Sequence, residues 1–571
     1  MSLYEIQGNL GNYLLKKHAG QFQISVCVEK IKNAYVPLSS IRDPFREADR
    51  ILNGFKLKKG IIVFVLGTGS VVLLEKLAKQ AEISGGLLVI IDAEPVLTTF
   101  LSVNLFAEQK EKRIFFLNSS AELTGLLEQM DVERLQGYRI LKCVPSIRLA
   151  EKFYEDIEFE IKTLLSSRIS DFFTRLEFEP LWIFNALAQL SRFSKARSVK
   201  QLFTAAEGRT AVLVSTGPSL RLSLSFLREH QNRLFIACVD SAYRVLHRSG
   251  IRPHLIASLD SQPFTLRHFL GLPRGQANQF PVLYADLVAN PATIRRWQGP
   301  LYLGITARYE EGDGQSRVVT PGCDFIEEEI FDKSQKNDET LGDVQSGGSV
   351  ATTLFDLLRQ MGFSTIALIG QDLAYTYREI HCIGTHHSDV WFSQSVNRFN
   401  TIERINEMVL RKRHVSAAES IQGKIIAADY ILSLYKDWFE NAGKLLPDVL
   451  VNLTAEGLPM KNIKHVNSED WQFTEKENFQ DFLNGILFQK DDLRSKATHI
   501  FQLYRDILNT EYDSSISEKY YFLHRIGKKF TMRVFRSASA KKDELLHKAE
   551  TEKQKFWKAL QQGIMIWQKK I

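Results

Sequence analysis

The stretch from Ala211 to Leu220, Ala-Val-Leu-Val-Ser-Thr-Gly-Pro-Ser-Leu, constrains the fold more than any other part of the chain. Its first four residues predict a buried strand, and an amphipathic helix begins at Leu220. Between them, Gly217 lets the backbone turn close to a ligand, and Pro218 suits a first helical turn. Ser219 would bring a hydroxyl and a free N–H to the positive end of that helix. The stretch predicts strand, tight turn and helix start, and leaves open whether the turn binds phosphate or only caps a helix.

Short apolar strands that end in polar turns recur through residues 196–468. We predict such strands at Leu234–Val239, Leu255–Leu259, Val282–Ala285, Leu301–Leu303 and Thr365–Ile369. Helical segments alternate with them, which is typical of a doubly wound, mostly parallel sheet. Residues just past the carboxyl ends of such strands line the ligand crevice. Asp240, Asp260 and Asp286 hold such positions and could bind a sugar, a ribose or a divalent cation, although each could instead cap a helix, the role we favour for Asp286.

The same region has two further groups at predicted element ends. Ser346, Gly347 and Gly348 open a helix, so their backbone N–H groups could form a second anion site. Gln371 and Asp372 follow the last strand of the series and would face the same crevice. These groups predict a polar site assembled from distant parts of the sequence.

The polar loop from His381 to His387 contains three of the chain's 13 histidines. It has neither a cysteine pair nor the helical spacing of two histidines that a zinc site favours, so we expect no metal there. A single histidine acting as general acid or base beside a phosphate or sugar fits the pattern better.

The N-terminal residues 1–195 have an α/β pattern of their own. The predicted strand Ile61–Leu66 ends in Gly67-Thr68-Gly69, and a second strand, Leu87–Ile91, ends at Asp92 with Glu94 beyond it. Nucleotide-binding folds have this layout, in which the acid bonds ribose hydroxyls. Because the third customary glycine is missing, the pattern favours a Rossmann-like scaffold without a ligand.

Length and charge suggest the domain organisation. A chain of 571 residues is too long for one core, and we predict a Rossmann-like domain at 1–195, a catalytic domain at 196–468 and a helical domain at 469–571. Residues 491–571 contain 17 Lys and Arg against 10 Asp and Glu, a surplus of 7 that equals the chain's net charge of +7. This basic end indicates an acidic protein surface as partner, or only a solvated helical face, and not a general nucleic-acid binder.

Other features of the sequence indicate a cytoplasmic protein. The five cysteines are scattered and odd in number, which argues against a disulfide framework. The longest apolar run, Ile61–Leu74, is too short to span a bilayer and is interrupted by glycines. The first residues do not have the pattern of a secretory signal.

Taken in order, these motifs resemble the motility accessory factor (Maf) family of bacterial flagellin glycosyltransferases, with their related 6-hydroxymethylpterin diphosphokinase domain. The resemblance covers residues 200–465. It is carried by Gly217-Pro218-Ser219-Leu220, Val239-Asp240-Ser241, Ser258-Leu259-Asp260, Gly370-Gln371-Asp372-Leu373-Ala374-Tyr375-Thr376 and Thr385-His386. The first turn and the Ser-Gly helix start are also similar to bacterial sialyltransferases that use CMP-activated sugars, although Thr216 stands where those enzymes have asparagine.

The resemblance implies an enzyme that transfers a nonulosonic acid, pseudaminic or legionaminic acid, from a CMP-linked donor to Ser or Thr of flagellin. The nucleotide contacts it implies are Gly217, Ser219, Ser346, Gly347 and Gly348. We add Thr216, Pro218, Asp240, Ser241 and Gln371 as further nucleotide-binding candidates from their positions in the same motifs. The catalytic candidates are His386, Asp260 and Asp372.

The expected partners are the nucleotide sugar and flagellin or its chaperone, with no nucleic acid and no membrane span. We expect no cofactor, although Mg²⁺ at Asp240 and Asp260 stays open, because the related domain includes Mg-dependent pyrophosphate transfer. A pterin pyrophosphokinase-like enzyme and a non-catalytic motility scaffold are the alternative hypotheses.

Overall fold

The structure is a computed structural model. It describes residues 3–18, 21–27, 35–106, 113–130, 135, 137–271, 280–310, 316–320, 322–331, 340–394, 396–471, 492–526, 528–529, 531 and 542–570. The chain forms two compact units. The first comprises Met1–Glu177 and Lys529–Leu545, and the second comprises Phe178–Lys528 and Leu546–Ile571.

The first unit contains two small sheets. Its strands are β1 (Leu3–Gln7), β2 (Asn12–His18), β3 (Gln21–Cys27), β4 (Tyr35–Pro37), β5 (Ile61–Leu66), β6 (Leu87–Ile91), β7 (Ile114–Leu117) and β8 (Gly137–Lys142). Strands β1 to β4 form an antiparallel meander, whereas β5 to β8 form a parallel sheet in the order β7-β6-β5-β8. This order is that of half a Rossmann fold, as the sequence predicts for the N-terminal region.

The second unit is built on an 11-stranded sheet. Its strands are β9 (Arg197–Ser198), β10 (Thr210–Val214), β11 (Phe235–Val239), β12 (Leu255–Ser258), β13 (Val282–Asp286), β14 (Leu301–Glu310), β15 (Ser316–Val319), β16 (Asp343–Gln345), β17 (Thr365–Ile369), β20 (Leu450–Asn452) and β21 (Lys464–His465), with a separate hairpin of β18 (Ser416–Glu419) and β19 (Ile425–Ala428). Every residue of β11, β12 and β13 is buried, as expected for parallel strands covered on both faces.

Strand β10 lies between β11 and β17 and runs parallel to both. From β10 the chain adds β11, β12, β13 and β14 on one side, and it then returns to place β17 on the other side. The order of the strands reverses between β10 and β17, which is where doubly wound sheets bind their ligands. The predicted doubly wound, mostly parallel sheet is confirmed.

Helices cover these sheets. They are α1 (Pro44–Leu52), α2 (Val71–Ser84), α3 (Pro95–Asn104), α4 (Ser120–Gln129), α5 (Val144–Ile147), α6 (Glu151–Gln189), α7 (Leu220–His230), α8 (Asp240–Arg248), α9 (Pro291–Arg296), α10 (Cys323–Ile330), α11 (Val350–Gln360), α12 (His386–Gln394), α13 (Ile402–Arg411), α14 (Tyr430–Leu445), α15 (Ala497–Asn509), α16 (Ile516–Lys519) and α17 (Lys542–Trp567). No helix in the described part of the chain is long and apolar enough to cross a lipid bilayer.

The two compact units differ from the three predicted domains. The division between them falls at Glu177 and Phe178, within α6, and not at residue 195. Trp557, Leu560 and Ile564 of α17 belong to the same buried apolar cluster as the central strands. The apolar stripe of α17 is therefore used in the core of the second unit and does not build a third core.

Candidate functional site at the carboxyl edge of the sheet

Ser219 and Asp372 join the turns that follow β10 and β17. These turns lie where the order of the strands reverses, which we call the switch point. The Ser219 backbone N–H donates to Asp372 Oδ2 at 2.9 Å, and the Ser219 hydroxyl donates to Asp372 Oδ1 at 2.6 Å. Both residues are at most 1% exposed. Burial raises the Asp372 pKa to about 6, and the two bonds from Ser219 partly oppose that rise because they favour the carboxylate.

These bonds change the roles expected for both residues. The Ser219 N–H is not free for a phosphate, because Asp372 accepts from it. Asp372, a predicted catalytic carboxylate, uses both oxygens to hold the turn and is a positioning residue. The Gly217 N–H likewise donates to the Gly370 carbonyl at 2.8 Å.

Gly217 is required by this packing. A Cβ built there would lie 2.5 Å from both the Asp372 carboxyl carbon and the Gly370 carbonyl oxygen. Pro218 is buried beside it. The glycine predicted to allow close approach of a ligand therefore allows close approach of the neighbouring turn.

The next turn along the edge contributes hydroxyl groups. The Thr216 and Ser241 hydroxyl oxygens are 3.2 Å apart, which brings the ends of β10 and β11 together. Asp240 is buried, and its carboxylate accepts from the Ser241 N–H and the Ser258 hydroxyl, each at 2.7 Å. Burial raises the pKa of Asp240 to about 6. Asp240 thus braces the start of α8, from which Ser241 projects.

Asp260 follows β12 and is only partly buried. Its Oδ1 accepts from the Gln262 N–H at 2.8 Å. Burial raises its pKa, and the charge of Asp240 adds to the rise, whereas His268 opposes it. Asp260 therefore lies in the same electrostatic neighbourhood as Asp240 and His268.

Histidines from two segments meet here. The His268 and His387 ring centres are 5.9 Å apart, and those of His381 and His387 are 5.5 Å apart. His386 begins α12, and both of its ring nitrogens are buried without a hydrogen-bond partner among the described residues. Burial lowers the His386 pKa, helped by the positive charges of neighbouring groups that include His268 and Arg244. The lowered pKa keeps His386 neutral near pH 7, and neither ring nitrogen has a partner in the described part of the chain.

The histidine loop is attached to the switch point. The Cys382 N–H donates to the Thr216 carbonyl at 2.9 Å. Arg244 of α8 also forms an ion pair with Asp389 of α12 at 2.7 Å. These contacts hold His386 beside the β10 and β11 turns. The sequence did not predict that His268 belongs to this site, because it is an isolated histidine that forms no motif with its neighbours.

The second predicted anion site is occupied by the protein's own side chains. The Gly347 N–H donates to the Thr352 hydroxyl at 3.0 Å, and the Gly348 N–H donates to the Ser346 hydroxyl at 3.1 Å. A Cβ at Gly347 would overlap the Trp438 ring, lying 2.5 Å from its Cγ. The expectation that these N–H groups point at a ligand is therefore wrong in this structure, although Ser346 lies at the carboxyl end of β16 on the same edge of the sheet.

Other candidate residues have distinct roles. The Gln371 N–H donates to the Thr454 hydroxyl, while Gln371 Oε1 is buried and unpartnered among the described residues. Asp286 accepts from the Val288 N–H and from the Thr306 N–H and hydroxyl. Asp286 thus braces a loop, and Asn290 is the residue that caps α9.

The loop after β17 is strained. Leu373, Tyr377 and Arg378 have positive φ angles of 54°, 55° and 59°. Residues other than glycine rarely adopt this left-handed backbone conformation. Tyr377 is held by its hydroxyl bond to Glu456 at 2.7 Å and by the Arg221 guanidinium, which lies 4.2 Å from the centre of its ring. Such strain is maintained by surrounding contacts and clusters at functional sites.

A cavity of about 690 Å³ opens beside the histidines. His381 and His387 line one part of it, and Tyr377, Trp391 and Met408 provide aromatic and apolar surface elsewhere. Its volume is within the range of small-molecule sites. In the described part of the chain, no three His, Cys, Asp or Glu side chains are grouped so as to hold a metal ion.

The N-terminal glycine turn is filled from within the first unit. A Cβ at Gly67 would lie 2.5 Å from the Ser146 Cβ, and one at Gly69 would lie 2.7 Å from the Leu38 Cβ. Asp92, the predicted ribose ligand, accepts from the N–H and hydroxyl of Thr68. These contacts agree with a scaffold in which this turn packs against protein.

The central region is similar to a known family of domains. Residues 184–378 match the family model described as 6-hydroxymethylpterin diphosphokinase MptE-like. This span runs from the end of α6 to the strained loop and includes both Ser219 and Asp372. This part of the chain is therefore similar to the MptE-like family, in agreement with the resemblance seen in the sequence.

Comparison with solved structures identifies the fold of the whole chain. A Maf glycosyltransferase from Magnetospirillum magneticum AMB-1 superposes with a TM-score of 0.53 over 99% of this chain and 93% of that one, at 13% identity. At this identity the likeness shows a shared fold, and the predicted α/β fold class is confirmed. An uncharacterized protein from Treponema pallidum (strain Nichols) is 28% identical over 128 residues, which are 21% of this chain and 59% of that protein.

Proposed function

We propose that this protein is a glycosyltransferase that transfers a nonulosonic acid, pseudaminic or legionaminic acid, from a CMP-activated donor to Ser or Thr of flagellin. The observation that carries the proposal is His386, whose neutral imidazole has two ring nitrogens without a partner among the described residues, beside the switch point of a fold shared with a Maf glycosyltransferase. Buried polar atoms without partners are uncommon in folded proteins, and a catalytic role is one explanation of them.

The donor phosphate needs hydrogen-bond donors as its negative charge grows during departure of the sugar. Because Asp372 uses the Ser219 N–H, we assign this role to the paired hydroxyls of Thr216 and Ser241. Asp372 and Asp240 hold those two turns in place. Arg244 and Arg267 contribute positive charge nearby, since both lower the His386 pKa.

The acceptor hydroxyl must lose a proton as it attacks the sugar. Neutral His386 can take that proton, and Asp260, which is only partly buried, is the carboxylate that remains available on the same edge. The 690 Å³ cavity beside His387 offers space for the segment of flagellin that carries the hydroxyl. In this scheme the protein would act in the cytoplasm, where nucleotide sugars and unexported flagellin meet.

The MptE-like match favours one alternative, a Mg²⁺-dependent pyrophosphokinase acting on a pterin-like substrate. Asp240 and Asp260 would be the metal ligands. Both Asp240 oxygens already accept hydrogen bonds within the protein, so Asp240 does not fit that role without rearrangement. The residues fit sugar transfer from a nucleotide donor better.

Thermal unfolding with CMP, CDP, UMP, GMP and ATP, each with and without Mg²⁺, tests the proposal. A ligand that binds only the folded form raises the melting temperature. We expect stabilisation by cytidine nucleotides without Mg²⁺, and its loss in Thr216→Val and Ser241→Ala. Ser225→Ala, an exposed change in α7, is the matched control.

The second measurement is release of CMP and gain of sugar mass on purified flagellin. Stabilisation by ATP only with Mg²⁺ would favour the kinase, and no response to any nucleotide would favour the scaffold.

A further inference from the structure

A second cavity, of about 220 Å³, lies between the end of α6 and the turn before α9. Arg192 and Arg295 both line it, together with Gln189, Asn290 and Trp567. None of the residues that line it, all within the described part of the chain, is acidic. Two cations therefore share a small concave space without a carboxylate.

Polar atoms in this cavity lack partners. Gln189 is fully buried; its amide nitrogen donates to the Ala289 carbonyl at 3.0 Å, while its Oε1 has no partner among the described residues. The Arg192 Nε is also buried and unpartnered in the described part of the chain. Burial lowers the Arg192 pKa, and the nearby Arg295 charge adds to that effect. A bound anion would relieve the repulsion and accept from the Arg192 Nε–H, whereas Gln189 Oε1 requires a hydrogen-bond donor.

The walls of the cavity are fixed by other contacts. Asn185 donates to the carbonyls of Ser261 and Val288, each at 3.0 Å, and the Phe184 and Trp567 ring centres are 5.1 Å apart. These contacts fix the walls that α6 and α17 contribute to the cavity, whereas Arg295 at its mouth is exposed.

We propose that this cavity binds a small hydroxylated phosphate monoester. The guanidinium groups of Arg192 and Arg295 hold the phosphate, and Gln189 Oε1 accepts a hydrogen bond from a hydroxyl of the ligand. The volume is below the usual range for sites that enclose larger ligands. Neither Thr216 nor Ser241, to which we assign the nucleotide phosphate, lines this cavity.

Isothermal titration of the full chain with glycerol 3-phosphate tests this site, with inorganic phosphate, glycerol and sodium chloride at matched ionic strength as comparison probes. We expect glycerol 3-phosphate to bind more tightly than inorganic phosphate, with no response to glycerol or chloride. Arg192→Gln and Arg295→Gln should each weaken binding at least tenfold, whereas Arg296→Gln, an exposed neighbour that does not line the cavity, should not.

Failure of the wild-type protein to bind glycerol 3-phosphate, or unchanged affinity in both arginine variants, would overturn the proposal. Equal affinity for glycerol 3-phosphate and inorganic phosphate would overturn the role of Gln189. Melting temperatures without ligand show whether each variant folds. The response to CMP, measured in parallel, should be the same in Arg192→Gln and wild type, so failure here is distinguishable from failure of the proposed glycosyl transfer.

Discussion

The carboxylate of Asp372 accepts both the backbone N–H and the hydroxyl of Ser219, a residue 153 positions earlier in the chain. The pair fixes the geometry of the turns after β10 and β17 before any ligand arrives. Its first consequence concerns stability, because a buried carboxylate that loses a donor keeps its desolvation cost.

Ser219→Ala should lower the free energy of unfolding by about 1–3 kcal/mol, since Asp372 would lose its hydroxyl donor. Urea denaturation at pH 8, where Asp372 is charged, measures the change. Ser225→Ala, on the exposed side of α7, should change stability by less than about 0.5 kcal/mol. Equal stability of Ser219→Ala and wild type would contradict a structural role for the pair.

Gly217→Ala should be more damaging than Ser219→Ala. The added methyl group would overlap the Asp372 carboxyl group and the Gly370 carbonyl, so the two turns must move apart. We expect a loss of about 1–3 kcal/mol or more, together with loss of nucleotide binding. Gly250→Ala is a contrasting variant, because no atom lies within 4 Å of a Cβ there and only its φ of +72° opposes the change. Retained nucleotide binding in Gly217→Ala would show that the turns tolerate separation.

The raised pKa of Asp240 predicts that the stability of the folded protein depends on pH. Its pKa rises from 3.8, the ordinary value for an aspartate, to about 6 in the folded protein, so the folded state binds the proton more tightly. The contribution of Asp240 to stability is therefore fully present below about pH 4 and is lost as the pH rises through 6.

Asp240→Asn keeps groups able to bond Ser241 and Ser258 but does not titrate. The difference in unfolding free energy, variant minus wild type, should increase between pH 4 and 6 by about 3 kcal/mol at most and stay constant above that range. Urea denaturation at several pH values measures it. A difference that does not vary with pH would show that Asp240 is ionised in the fold at its ordinary pKa.

His386→Gln should lower kcat of sugar transfer by about 10² to 10⁴-fold, as expected for loss of a general base. Because burial lowers the His386 pKa, the acid limb of kcat against pH should have its midpoint below 6.5 in the wild type and should disappear in the variant. His414→Gln, at an exposed histidine, is the control. An unchanged kcat in His386→Gln would transfer the base role to Asp260.

The strands of the site could be predicted because their pattern is local. An apolar run followed by a polar turn fixed β17 at Thr365–Ile369 with the bounds that the structure has, and it placed β10 and β11 within one residue. The residues at the carboxyl ends of these strands followed from the geometry of parallel sheets. The fold class and the edge that bears the site were therefore accessible from the sequence.

The hydrogen-bond partners at that edge could not be predicted. A helix start such as Ser219 has an N–H group available in isolation, and nothing nearby in the sequence reveals that Asp372 accepts from it. The same is true of Gly347, because Trp438 and Thr352 occupy the space expected for an anion. Tertiary contacts over long separations decide whether a turn faces a ligand or the protein itself.

The position of β10 between β11 and β17 also governs the order in which the site can be made during synthesis. A chain emerging from the ribosome can pair β10 with β11 early, but one edge of β10 stays open until residues 365–369 have been translated. Closing so long a loop is entropically slow, and an unpaired apolar edge invites association with other chains. Nascent chains that end before β17 should therefore be chaperone clients, and the candidate site should form only after β17 has paired with β10.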